Sequence, residues 1–505
     1  AASASYGQSR IDELLRYIEA QYVEEVDREE LVDKAIESIL EQLDPHSSYI
    51  TAEQFQAIND PLEGNFDGIG VEFMILDDTI VIVNTVKGGP SEAVGIQTGD
   101  KIVMVEDSLV AGVNIGYDGI KDLLRGKKGT EVKIGIRRDD SPKLRYFDIT
   151  RDEIPMHSID AAYMINEKTG YVKLNRFSAT TYEEFMKALE EMVDEDQMED
   201  LVIDLRHNPG GYLPQAAKLL NQLFVNKNQV LVYTEGAHSK REEYETNGRA
   251  FFNLGDIAVL IDEGSASASE IVAGTIQDYD RGIIIGRRSF GKGLVQQQFR
   301  LRDGSAVRLT IAHYYTPSGR SVQRPYQNLS KYENDLMSRY ESGELLSLDN
   351  LSLEDSTEYF TQQGRVVYGS GGIIPDIFVP ADTTIFQDNF IMLRQQLPSF
   401  VFRKMGRQIS KLLEEYPDIS DFQNKYRLPG NLWPEFLKYA EEQDLPLDLS
   451  QLNVDVSKLN LLMKAEIAKL LFDEEAFYVI WNENDSVIKE ALEVLKNPKP
   501  LTVLK

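Results

Sequence analysis

The chain has 505 residues, 42% of them hydrophobic and 27% charged, and a formal net charge of −30. This length predicts about three or four folding units of soluble globular composition, and the acidic excess excludes a nucleic-acid partner, whose phosphate backbone takes clustered Lys and Arg. With no cysteine there are no disulfides, thiol nucleophiles or thiolate metal sites, and no run of about eighteen apolar residues marks a transmembrane helix.

The chain opens Ala-Ala-Ser-Ala-Ser, with neither a basic, apolar signal segment nor an initiator Met. That beginning suits an exported protein after trimming, and equally any trimmed chain. Residues 1–61 are predicted helical: Val32, Ala35, Ile36, Ile39, Leu40 and Leu43 fall on one face, and Asp44-Pro45 ends the run. Over 62–152 the pattern changes to short strands with glycine punctuation, among them Gly70-Val71-Glu72-Phe73, Ile80-Val81-Ile82-Val83 and Lys101-Ile102-Val103-Met104-Val105. Here the segment Gly88-Gly89-Pro90-Ser91-Glu92-Ala93-Val94-Gly95-Ile96-Gln97-Thr98-Gly99-Asp100-Lys101-Ile102 carries glycine, alanine and apolar residues at the offsets of a PDZ domain's turn–helix–turn–strand. Upstream, Gly68, Ile69, Gly70 and Val71 are predicted to be its carboxylate loop, where successive backbone N–H groups form a nest for a peptide C-terminus.

Residues 153–325 alternate strands (170–174, 201–205, 257–261, 282–286) with helices (181–194, 213–224 and the one opening at Ser267). Alternation of this kind predicts an α/β unit with a mixed or parallel sheet under covering helices. Residues 326–371, rich in Ser, Glu and Tyr and weakly periodic, are predicted to be a polar insertion or lid on the surface. Strand character returns over 372–384, and 385–505 is helical, so that the whole chain is multi-domain α+β. Leu459, Leu462, Met463, Ile467, Leu470 and Leu471 form one apolar stripe and Val487, Ile488, Ala491, Leu492 and Leu495 another. Such stripes serve as core or as a dimer surface, and the helical terminal regions are the expected site of any homo-dimer.

The chemistry is expected around Asp262-Glu263-Gly264-Ser265-Ala266-Ser267-Ala268-Ser269-Glu270, where small residues lead from a strand into a helix. Ser267 with Glu270 has the spacing of a capping box. The same turn, free of bulky side chains, follows the logic of a nucleophile elbow and lets a substrate carbonyl approach; Ser265 and Ser269 are rival nucleophiles. A serine needs a base. The histidines, His46, His157, His207, His238 and His313, form no recognisable triad signature, whereas Lys292, between two glycines after an apolar strand, can serve once desolvation lowers its pKa. Gln296, four residues on, can orient that lysine. Asn208-Pro209-Gly210-Gly211 joins a strand to a helix, and its glycines can present N–H groups to a substrate oxygen together with the amide of Ala268.

In order, the PDZ signature, Leu205-Arg206-His207-Asn208-Pro209-Gly210-Gly211, residues 263–270 with Ile271-Val272-Ala273-Gly274, Phe290-Gly291-Lys292-Gly293 and Tyr315-Thr316-Pro317-Ser318-Gly319-Arg320-Ser321 resemble the family of C-terminal processing, or tail-specific, proteases. The resemblance covers residues 30–325 and 372–379. It implies Ser267, the middle serine of Ser-Ala-Ser-Ala-Ser, as nucleophile, Lys292 as general base and Gln296 as the lysine's partner. It further implies a crotonase-like core, a location in the periplasm or cell envelope, and a PDZ domain that binds substrate C-termini and gates the site. Arg125 is the matching candidate for the PDZ arginine that couples peptide binding to activation in relatives. His207 departs from the small or amide residue expected beside Asn208.

The expected function is therefore a serine endopeptidase that cleaves proteins near apolar, free C-termini without metal or organic cofactor. A catalytically silent PDZ scaffold and an acyl-CoA enzyme on the same core are the rival readings, since fold alone never decides function.

Overall fold

The structure is a computed structural model and describes residues 2–138, 141, 143–353, 355–443 and 455–497. The remaining positions of the regions predicted above, residues 1, 139–140, 142, 354, 444–454 and 498–505, lie outside the described residues.

Runs of Val, Ile and Leu without polar alternation become the central strands, because strands covered on both faces are apolar throughout. They form a six-stranded sheet in the order Ile159–Met164, Thr169–Leu174, Asp200–Asp204, Ile257–Ile261, Ile283–Gly286, Ile377–Phe378. The first pair is antiparallel and the other four are parallel. One face packs Val172, Ile203, Val259 and Ile284 against the helices Thr181–Glu190, Leu213–Leu223 and Ala268–Asp278. The alternate residues, Tyr171, Val202, Leu260 and Ile285, meet Val487, Ile488, Ala491 and Leu495 of helix Ser486–Lys496 on the other face. The core is thus the mixed α/β unit that the alternation predicted.

Both C-terminal stripes are consumed inside the chain. The second covers the sheet; the first, Leu459, Leu462, Met463, Ile467 and Leu471, is buried with Phe390, Phe400, Phe422 and Phe436 in a separate helical core. The N-terminal stripe behaves differently. In helix Arg28–Glu41 only Leu40 is buried, while Ile39 and Leu43 stay more than half exposed at 53% and 57%.

A second sheet lies over the site. Its strand Ala306–Tyr315 pairs with Leu294–Arg300, with Ser48–Ile50 near its start and with Lys227–Glu235 near its end. The strands Val71–Leu76, Thr79–Thr85, Lys101–Val105, Glu131–Arg137 and Arg145–Thr150, with Ser108–Leu109 paired to the third, make a six-stranded antiparallel sheet around Ile82, Ile102, Ile134 and Ile136. This unit leaves and returns through one ribbon, Asn65–Gly68 paired with Asp152–Pro155.

The 326–371 insertion departs from the surface excursion expected of it. Arg339, 3% exposed in helix Asp335–Glu341, donates to the carbonyls of Arg288 and Ser289 at 3.1 and 3.0 Å. Arg288 pairs in turn with Glu344, and Arg365 with Asp280 and Asp376. Ion pairs and carbonyl contacts fasten this segment, so it carries no apolar period to read.

Candidate active site

Three turns emerge from the C-terminal ends of the adjacent parallel strands Asp200–Asp204, Ile257–Ile261 and Ile283–Gly286, the edge at which α/β sheets collect functional groups. They carry the Asn208–Gly211 loop, the Ser267 turn and the Lys292 loop.

Ser267 heads the helix Ala268–Asp278 with φ +55° and ψ −113°, a conformation costly for any residue with a Cβ. Its surroundings over-determine that backbone. Asn208 O accepts the Ala266 N–H at 3.0 Å and the Ser269 hydroxyl at 2.9 Å; Ser265 Oγ donates to Leu205 O at 2.8 Å; Tyr314 Oη donates to Ser267 O at 3.2 Å. Ser265 and Ser269 are thereby fully buried and bonded inward, whereas Ser267 lines a cavity of about 610 Å³. Geometry alone separates the three rival serines.

The glycine loop lies directly on this turn. A Cβ on Gly210 would stand 2.7 Å from Ala266 O, and one on Gly211 would stand 2.1 Å from Phe177 O. The Gly210 N–H donates to Asn208 Oδ1 at 2.9 Å and is engaged inside its own loop. Among the described residues no hydrogen bond occupies the N–H of Gly211 or of Ala268, the latter a first-turn donor without an intrahelical partner. His207, the departure noted above, sits at φ +58° with Nδ1 3.1 Å from Asp262 Oδ2 and its N–H on Asp262 Oδ1 at 2.8 Å. Its side chain is exposed, while the neighbouring Asn208 is buried.

Lys292 lines the same cavity, with Nζ donating to Gln296 Oε1 at 2.9 Å. Burial pushes its pKa below the ordinary 10.5, Arg308 on the neighbouring strand adds repulsion, and Glu270 and Asp44 oppose the shift. Glu270, fully buried, accepts the N–H of Ser267 at 2.9 Å, of Gly291 at 2.7 Å and of Lys292 at 2.8 Å, and the Ser289 hydroxyl at 2.5 Å. Burial raises the pKa of this carboxyl against those four donors. The capping glutamate of the sequence is therefore also the tie between the serine turn and the lysine loop.

Gly68, Ile69, Gly70 and Val71 line a groove of about 280 Å³ with Phe73, Tyr117 and Leu124, far from Ser267 in sequence and separate from its cavity. Arg125 borders the groove, its guanidinium 4.5 Å from the Phe66 ring centre and NH1 on Asp60 Oδ2 at 2.8 Å. Asp60 belongs to helix Ala52–Glu63, whose last residue accepts the Tyr212 hydroxyl at 2.9 Å. Tyr212 follows Gly211, so one helix touches both the groove's arginine and the glycine loop.

Sequence reading missed Arg308, Asp44, the contacts of His46 and Tyr332, and the link through Glu63. Asp44-Pro45 was legible as the end of a helical run, but the partners of this segment lie more than 200 positions away: Thr310 on Asp44 and Gln296 on the His46 carbonyl, with separations of 266 and 250. Among the described residues no group of three or more His, Asp or Glu has the arrangement of a metal site, and no helix is long and apolar enough to cross a membrane.

The sequence matches the models of peptidase family S41 over residues 168–327, the PDZ domain over 68–145, the activating protease CtpB N-terminal domain over 3–54 and a family of unknown function over 389–473. It is similar to the carboxy-terminal processing protease CtpB of Bacillus subtilis, 36% identical over 321 residues, 62% of this chain and 65% of that protein. A carboxy-terminal-processing protease of Bartonella bacilliformis is 36% identical over 321 residues, 62% of this chain and 72% of its own length. Among solved structures, a photosystem II D1 C-terminal processing protease shares 29% identity over 61% of this chain and 82% of that one, with a TM-score of 0.34. The matched stretch thus spans just under two thirds of the Bacillus protein.

Proposed function

The chain belongs to the family of carboxy-terminal processing proteases, and from that premise we propose that it is a serine endopeptidase cleaving proteins near their C-termini with a Ser267–Lys292–Gln296 site. The observation that supports this reading is the convergence of a strained serine at a helix N-terminus, a desolvated lysine and two uncommitted backbone N–H groups around one cavity. Neutral Lys292 takes the Ser267 proton as Oγ attacks the scissile carbonyl. The N–H groups of Gly211 and Ala268 hold the oxyanion, and Gly210 admits it by having no side chain. The C–N bond breaks as Lys292 returns the proton to the leaving amine, and water, deprotonated by the same lysine, hydrolyses the acyl-enzyme. No metal or organic cofactor enters the sequence of steps.

In this reading the groove at Gly68, Ile69, Gly70 and Val71 receives the substrate's terminal carboxylate and an apolar side chain. Arg125 reports occupancy through Asp60 and helix Ala52–Glu63 to Tyr212 beside the glycine loop. We place the protein in the periplasm or cell envelope, as an exported enzyme. The exposed apolar side chains Leu14, Tyr17, Ile39 and Leu43 support a homo-dimer through the N-terminal helices rather than the C-terminal ones.

The deciding experiment compares Ser267→Ala and Lys292→Ala with the parent on a peptide bearing an apolar, free C-terminus, with mass detection of a phosphonate adduct on Ser267. Loss of cleavage in both variants is expected. Persistent cleavage in either sinks the assignment, and a parent that binds the peptide without cutting it marks a scaffold.

A further inference from the structure

The Asp44-Pro45-His46-Ser47 turn and the insertion around Tyr332 meet behind the Lys292 loop, although neither was assigned any part in the chemistry. Asp44, 6% exposed, clamps the turn by accepting the His46 N–H at 2.8 Å, the Ser47 N–H at 2.9 Å, the Ser47 hydroxyl at 2.6 Å and the Thr310 hydroxyl at 3.0 Å. This fixes the His46 carbonyl, which accepts Gln296 Nε2 at 2.5 Å. A carbonyl can only accept, so Gln296 must turn its NH₂ toward His46 and its oxygen toward Lys292. The orientation decides the chemistry. With Oε1 facing it, Lys292 donates an N–H to Gln296 and keeps its lone pair for the Ser267 proton; a flipped amide would donate into that lone pair and block the base.

The His46 ring is held by the insertion. Its Nε2 lies 2.6 Å from the Tyr332 hydroxyl, and the rings meet edge-on at 5.5 Å and 81°. Tyr332, 5% exposed, also packs edge-on against Phe290, two positions before Lys292, and both rings stack on Arg324 at 3.9 and 4.0 Å. Burial first, then the facing charges of Lys292 and Arg324, push the imidazole's pKa down to about 4 against Asp44, which favours the cation, so the ring is neutral at physiological pH.

We propose, building on the Ser267–Lys292–Gln296 reading above, that His46 is a positioning residue that fixes the amide of Gln296 through its backbone carbonyl, and that Tyr332 of the polar insertion holds His46 in place. The insertion is then part of the catalytic support, and a substrate or partner that displaces it would switch off the base without touching it.

The test measures kcat, KM and the pH profile of peptide cleavage by the full chain for Tyr332→Phe, His46→Ala and His46→Gln, each also in a Gln296→Ala background. Tyr332→Phe removes the hydroxyl that meets His46 Nε2 and that also bonds Arg324 and Gln323, and it is expected to lower kcat about fivefold at unchanged KM. His46→Ala is expected to cost about thirtyfold, and His46→Gln, which restores a polar atom near the Nε2 position, to recover most of it. Because both act through Gln296, neither is expected to cost anything further in the Gln296→Ala background. Where turnover of that background is too slow to measure, the rate of Ser267 labelling by a phosphonate reads the same cycle. Equal losses in both backgrounds, a Gln296→Ala variant as active as the parent, or an unaffected Tyr332→Phe overturns the proposal while leaving the serine–lysine reading intact. Activity surviving in Ser267→Ala or Lys292→Ala overturns that reading instead. If His46→Ala does not fold, Tyr332→Phe, which loses a single oxygen, decides.

Discussion

Glu270 Oε2 accepts the backbone N–H of Lys292 at 2.8 Å, and the same oxygen accepts the N–H of Ser267 at 2.9 Å. One buried carboxylate therefore fixes the distance between the Ser267 turn and the Lys292 loop. Glu270→Gln puts an NH₂ group against donors that need an acceptor. It is expected to lower kcat at least about tenfold and to cost about 1–3 kcal/mol of stability. Urea unfolding beside peptide turnover checks both; full activity at parental stability would remove Glu270 from the support of the site.

As the proposed base, Lys292 would act only when neutral, so kcat/KM is expected to rise with pH through a folded-state pKa below the ordinary 10.5. Arg308 disfavours the ammonium form. Arg308→Gln removes that repulsion, the lysine's pKa rises, and the ascending limb of the profile moves to higher pH. A pH–rate profile that does not move, or moves toward acid, contradicts the role of Arg308.

Arg125 is bonded to Asp60 in the last turn of helix Ala52–Glu63, and Glu63 of that turn accepts the Tyr212 hydroxyl. Arg125→Ala and Tyr212→Phe are expected to erase most of the preference for a free C-terminal carboxylate over its amide, about tenfold for a coupling of ordinary size. Competition between the acid and amide forms of one peptide reads this. Retained preference in both variants would uncouple the groove from the glycine loop.

Ile39 and Leu43 are 53% and 57% exposed, and Leu14 and Tyr17 of the preceding helix 59% and 61%. The proposed dimer would cover them. Ile39→Glu with Leu43→Glu is expected to convert a dimer to a monomer in analytical ultracentrifugation without loss of fold. A parent chain that sediments as a monomer at micromolar concentration disposes of the proposal.

Much of the molecule was legible before its structure. The alternation over 153–325 reports local burial, and the strands Asp200–Asp204 and Ile257–Ile261 fall within a residue of their predicted bounds. The glycines 210 and 211 were legible because a close approach excludes any Cβ there. The insertion was not, since Arg339 and Arg288 fasten it by polar contacts that leave no periodic trace.

The sequence by itself determined the local pieces: a strand-to-helix turn of small residues, a lysine between glycines, a PDZ signature, and apolar stripes without knowledge of what they cover. Tertiary structure alone decided which serine of three faces a cavity, that Gly210's amide is engaged while no hydrogen bond among the described residues occupies Gly211's, and that His46 and Tyr332 stand behind the lysine. The reason is physical. Secondary structure and close glycine contacts are written in neighbouring residues, whereas the pKa of Lys292 and the orientation of Gln296 depend on burial and on partners brought from hundreds of positions away.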